Sequence, residues 1–189
     1  MSKIILASGS PRRKTLLANL GLTFEVFKPK INEDRVSGER PARYCVRLAR
    51  TKATAVAERF SNDIVIAADT IVVIDDEILG KPSDREDAKR MLNKLSGREH
   101  EVMTGLSVIH GDNVYVHCER TGVKFRELSE DEINAYSETG EGDDKAGAYA
   151  VQGKGALLIE GITGDYYNVV GLPICKLGEI LKSEGFKIL

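Results

Sequence analysis

Short apolar runs alternate along this chain with stretches whose apolar residues recur every three or four positions. Lys3–Ala7 (KIILA) is a compact apolar run stopped by Ser-Gly-Ser-Pro, which predicts a strand entering a loop. Pro11 suits the first turn of a helix with Ser10 as its cap, running to about Leu20 and stopped by Gly21. Phe24–Lys28 predicts a second strand. From Arg40 to Phe60 the residues Cys45, Leu48, Ala49, Ala53, Val56 and Phe60 keep helical spacing. Asp63–Asp75 is β-rich and, between its ends, apolar apart from Asp69 and Thr70. Asp76 and Glu77 then read as a turn, with Ile78–Leu79 returning as a second arm.

Further on, the pattern predicts a helix over Asp84–Leu95 with Ser83 as its cap. His100–Ile109 and Val114–Phe125 read as the arms of a long hairpin, with His110 and His117 as surface residues beside its turn. Ser129 and Glu132 have capping-box spacing at the start of a helix reaching Thr139. Gly140–Gly155 is too rich in glycine and charge for regular structure throughout. Ala156–Glu160 and Tyr166–Val170 are predicted as short strands and Pro173–Glu184 as a closing helix. Strands and helices alternate without a strict βαβ rhythm, so the expected fold class is α/β with a mixed sheet. The expected organisation is a single domain over residues 1–189 with two lobes.

Composition narrows the class without choosing a function. Hydrophobic residues at 42% and charged residues at 30% describe an ordinary globular protein, and a net charge of −2 gives no general attraction to nucleic acid or acidic lipid. Cys45, Cys118 and Cys175 are far apart in sequence and make no zinc or disulfide framework, so they are expected to be small core residues. The start of the chain lacks a signal-peptide core and no run has membrane-spanning length, so the expected location is cytoplasmic.

Candidate chemistry appears where charge interrupts apolar pattern. Asp69 lies within IVIAADTIVVI, a run with the composition of a strand buried on both faces. A carboxylate there costs several kcal/mol unless it is paired or metal-bound. The plainer alternative puts Asp69 at a strand end, where it meets solvent or a backbone N–H. Lys52 shares the apolar stripe of its helix with Leu48, Ala49 and Val56; the alternative is a stem that packs while the ammonium reaches water. Ser8-Gly9-Ser10-Pro11-Arg12-Arg13 sets backbone N–H groups and two guanidinium forks at a helix start, which suits phosphate, against a solvated arginine pair. No GxxxxGK[ST] loop occurs. Lys81, between Gly80 and Pro82, and Glu33, in a charged loop, each read alone as exposed. Together these cations and carboxylates suit a polyphosphate and a metal that activates water. No serine–histidine or cysteine–histidine nucleophile is legible, which leaves water as the attacker.

With these residues in view the chain resembles the Maf family of nucleotide pyrophosphatases over nearly its whole length. The matching blocks are LASGSPRR (6–13), RLARTKA (47–53), AADT (67–70), GKP (80–82), DKAGAYAVQG (144–153) and GDYYNVVGLP (164–173). The resemblance implies an elongated mixed, twisted sheet flanked by helices, with a deep cleft between two lobes. It implies hydrolysis between the α- and β-phosphates of a nucleoside triphosphate with magnesium or manganese. Asp69 matches the general base and Glu33 the acidic, metal-binding part of the site. Ser8, Arg12, Arg13, Lys52 and Lys81 match the phosphate-contacting set. Arg12, Thr70 and Gln152 resemble the trio of members that prefer dTTP and UTP. The resemblance leaves a homodimer open and implies neither a nucleic-acid nor a membrane partner.

Two rival classes stand beside this reading, the first implied only by the family name's association with septum formation. One is a non-catalytic nucleotide-binding regulator of cell division and septum formation; the other is nucleic-acid binding through Arg12 and Arg13. The metal-type carboxylates beside several cations favour an enzyme over both. Because its apolar neighbours make Asp69 a costly charge, Asp69→Asn is expected to lose at least about 10²-fold in turnover while metal-free stability stays equal or rises. The alternative is a structural Asp69, satisfied by backbone or a salt bridge, for which the melting temperature falls and kcat stays near normal.

Overall fold

The computed structural model describes residues 2–188. Seven strands make one mixed sheet: β1 (Ile4–Leu6), β2 (Phe24–Val26), β3 (Ile64–Ile74), β4 (Glu77–Leu79), β5 (Glu99–His110), β6 (Asn113–Phe125) and β7 (Ile159–Thr163). The strand order is β2-β1-β3-β5-β6-β7, with β4 paired to β3. β1 runs parallel to β2 and β3, pairing Ile4 with Phe24 and Ile64, because helical connections return the chain in the same direction. β3–β4 and β6–β7 are antiparallel. The helices are α1 (Pro11–Asn19), α2 (Pro41–Ala57), α3 (Arg85–Leu95), α4 (Glu130–Glu138), α5 (Tyr166–Val170) and α6 (Ile174–Ser183). No described helix is long and apolar enough to cross a membrane.

The chain divides into two compact units. The first comprises the residues up to Asp69, Thr104–Glu119, and those from Gly171 on; the second comprises Thr70–Met103 and Arg120–Val170. In the first, Ala53 and Val56 of α2 pack with Ile5, Val65, Ala67 and Ile109. Helix α2 sits close to β5 because residue 105 is glycine: a Cβ there would lie 2.3 Å from the carbonyl oxygen of Cys45. In the second unit, Leu92 and Leu95 of α3 meet Phe125, Ile133, Tyr136 and Tyr149 in one apolar cluster. His100 is buried there, its Nε2 2.7 Å from the Tyr149 hydroxyl and its ring edge-on to Phe125.

Several local expectations are corrected. The β3–β4 turn is Asp75–Asp76, not Asp76–Glu77: both aspartates have positive φ, and Ile74 pairs with Glu77. A two-residue loop with two left-handed residues matches the sheet twist and tolerates aspartate. Asp84, rather than Ser83, caps α3, accepting from Asp87 N at 2.8 Å. Ser10 stands at the start of α1 but its side chain makes no capping bond. The capping box at Ser129–Glu132 is present as read.

Of Ala156–Glu160, only Ile159 and Glu160 are strand. Gly153–Leu158 forms 3-10 turns, since the Glu141 carboxylate accepts from Lys154 N and Gly155 N, and β7 begins only at Ile159. Tyr166–Val170 is helix, started by Asp165, which accepts from Tyr167 N at 2.8 Å. The strand-like composition of that segment yields to this turn. His110 and His117 are half-buried and lie against Glu184 and Glu119.

Candidate active site

β1 delivers the chain into the Ala7–Ser10 loop, and α1 begins at Pro11. The loop is tied from within. Ser8 is buried, and its Oγ accepts from Ser10 N at 3.2 Å and from Arg13 Nη1 at 3.2 Å. Arg13 Nε also donates to the Gly171 carbonyl at 2.7 Å. Arg13 therefore braces the loop and fixes its own guanidinium. Burial lowers its pKa to about 10, opposed by Asp69 and Glu33 and assisted by the neighbouring Arg12. The start of α1 has no capping side chain and no acidic residue in its first turn, so none of the helix's own first-turn side chains offsets its positive dipole end.

Asp69 lies in the middle of β3, not at its end, and only 9% of its surface is exposed. Lys52 reaches it from α2, donating to Asp69 Oδ1 at 2.6 Å and standing 2.9 Å from Glu33 Oε1. The strand-end and snorkelling alternatives fail on this geometry, whereas the alternative of a structural Asp69 satisfied by a salt bridge is met by Lys52. Asp69 is not in solvent, and the Lys52 ammonium turns to carboxylates rather than to water. Glu33 sits on an exposed loop, held by Tyr44, whose hydroxyl donates to the Glu33 carbonyl at 2.9 Å. The Asp69 and Glu33 carboxylates thus converge on the Lys52 ammonium. Magnesium commonly takes one or two protein carboxylates and completes its shell with water and phosphate oxygens, so this donor set fits it. No group of three or more His, Cys, Asp or Glu residues with metal-ligand spacing occurs among the described residues.

The first unit therefore gathers Ser8, Arg12, Arg13, Glu33, Lys52 and Asp69. Thr70, Lys81 and Gln152 belong to the second. Thr70 is half-buried on β3. Lys81 is exposed after Gly80, whose carbonyl accepts from Gly147 N at 3.0 Å. Gln152 is exposed immediately before the 3-10 segment wound by Glu141. Sequence reasoning missed Tyr44 and Gly171, which hold Glu33 and Arg13. Both act through backbone bonds that leave no charge pattern to read. Glu141 is a third such residue, hidden in a stretch read only as irregular.

Comparison with known proteins shows the family. The family model described as Maf-like protein matches residues 3–184. A dTTP/UTP pyrophosphatase of Symbiobacterium thermophilum is 50% identical, over 100% of this chain and 97% of its own. One from a Thermoanaerobacter species is 54% identical, over 96% of each. One from Pyrococcus furiosus is 48% identical, over 96% and 95%. Among solved structures, the Ham1 protein of Staphylococcus aureus has the same fold. Its TM-score is 0.53 at 16% identity, covering 97% of this chain and 100% of that one. Motif order, site geometry and full-length similarity lead to one conclusion: the chain belongs to the Maf family.

Proposed function

We propose that this protein hydrolyses dTTP and UTP to the nucleoside monophosphate and pyrophosphate. The observation that carries this reading is the Lys52 ammonium held between Asp69 and Glu33 beside the arginine loop. Relatives about 50% identical over the full chain are dTTP/UTP pyrophosphatases, which supports the same activity here.

Asp69 accepts a proton from the attacking water or orients it toward the α-phosphate. Lys52 and Lys81 contact the triphosphate, and Arg12 and Arg13 offer it planar, fork-shaped donors. These cations offset charge developing on the leaving pyrophosphate. Ser8 and the N–H groups at the start of α1 bind phosphate oxygens. Glu33 and Asp69 would hold magnesium or manganese, which supplies a Lewis acid for phosphate oxygens and lowers the pKa of water. Arg12, Thr70 and Gln152 read the base; Gln152 offers both a donor and an acceptor to a pyrimidine edge. The role is removal of unwanted nucleotides in the cytoplasm, with a homodimer as the working assembly and no nucleic-acid partner.

Incubation with UTP and magnesium, with product analysis, tests the bond cut. The expected products are UMP and pyrophosphate, with turnover abolished by EDTA; UDP and orthophosphate would mean a different reaction. A nucleotide panel tests base choice. The kcat/KM for dTTP and UTP should exceed that for ATP and GTP at least about tenfold, or roughly 1.4 kcal/mol. Gln152→Ala should erode that preference while leaving metal dependence intact. Purine preference in the wild type would overturn the base assignment.

A further inference from the structure

Two thiols outside the proposed catalytic set meet in the first unit. Cys45 on α2 is buried, Cys118 on β6 is half-buried, and their Sγ atoms lie 3.8 Å apart. Their approach follows from the close packing of α2 on β5 at Gly105, with β6 the next strand. The hydrogen bond to Cys118 and burial raise the Cys45 thiol well above the usual cysteine range. Cys118 is the more accessible of the two and so the one that meets an oxidant first. Lys52 lies about two turns beyond Cys45 on the same face of α2, so movement of the helix at Cys45 reaches the Lys52 ammonium.

We propose that Cys45 and Cys118 form a reversible disulfide on exposure to hydrogen peroxide, and that closing it displaces Lys52 from Asp69. The Cys118 thiolate attacks one peroxide oxygen. The O–O bond breaks, the sulfur becomes a sulfenic acid, and the other oxygen leaves as water after taking a proton. Cys45 sulfur then attacks Cys118 sulfur. The S–S bond forms, the S–O bond breaks, and the Cys45 proton leaves with the departing oxygen as a second water. The two sulfurs lose the two electrons that the peroxide gains, and a dithiol reverses the change by exchange. Bond formation contracts the sulfur separation from 3.8 Å to about 2.05 Å. With no slack between α2 and Gly105, part of that contraction is taken up as a shift of the helix along the sheet.

The test uses a Cys175→Ser protein, which removes the exposed third thiol. After hydrogen peroxide, the intact mass should fall by two hydrogen atoms, and a non-reduced digest should join the Cys45 and Cys118 peptides. Oxygen addition without a cross-link overturns the bridge. The activity measurement rests on the pyrophosphatase reading. Oxidised protein should turn over UTP at least roughly tenfold more slowly, as a displacement near 1 Å at a positioned group predicts, and dithiothreitol should restore it. Cys118→Ser, checked by its melting curve, should resist this inhibition. A bridge that leaves turnover unchanged overturns the coupling to Lys52. Reduced protein inactive on every triphosphate overturns the functional reading instead, while the mass result still decides the bridge.

Discussion

Lys52 and Asp69 meet at 2.6 Å with side chains 13% and 12% exposed, so each compensates the other's burial. The stability expectation for Asp69→Asn therefore reverses. Asparagine would leave the ammonium leaning on Glu33 alone, a carboxylate half in water. Asp69→Asn should cut turnover at least about 10²-fold through loss of the base. Its metal-free melting temperature should fall rather than stay level or rise. A melting curve and a turnover assay on one purified variant check both, and near-normal kcat would remove Asp69 from the chemistry. Both charges were legible in the sequence because each broke an apolar pattern. Tyr44 and Gly171 were not, because a hydroxyl and a carbonyl that position other groups disturb no pattern.

Among the elements, α2 was readable from its apolar spacing and α4 from its capping box, and both signals agreed with the packing finally adopted. Tyr166–Val170 was misread because its composition favours a strand while Asp165 starts a helical turn, and Asn168 then anchors that turn from within. Asn168 Nδ2 donates to the Val102 carbonyl at 3.0 Å and to Thr121 Oγ1 at 2.9 Å. β5 carries a buried titratable group that the hairpin pattern hid. Burial lowers the His100 pKa from 6.5 to about 4, so the folded protein resists a proton that the unfolded chain accepts. This contribution is present above pH 6.5 and is lost as pH falls from there toward 4, amounting to about 3 kcal/mol. Urea midpoints across that window should fall more steeply for wild type than for His100→Gln. Parallel profiles would mean that His100 is protonated in the fold.

Across the whole molecule, the mixed sheet and its α/β class follow from the alternation of patterns, but the partition of the chain does not. Both units are discontinuous in sequence, and three of the four boundaries between their segments fall inside strands: at Asp69 in β3, Met103 in β5 and Glu119 in β6. The polar pair Asp69–Thr70 interrupts β3 at the first of these points, but nothing in the pattern marks it, Met103 or Glu119 as the edge of a unit. The fourth boundary falls at Gly171, the residue whose carbonyl receives Arg13. That placement has a consequence for synthesis. The phosphate-loop candidate leaves the ribosome well before its arginine brace, which lies 158 residues further along the chain. A nascent chain halted before Gly171 holds β1, α1 and α2 without the segment that completes their unit, and contacts of such sequence separation form slowly. Ribosome-bound chains arrested before residue 171 should therefore be cut readily by protease near Arg12 and Arg13. Chains extended beyond the Gly171 segment should be protected there; equal protection would show that the loop settles before its brace arrives.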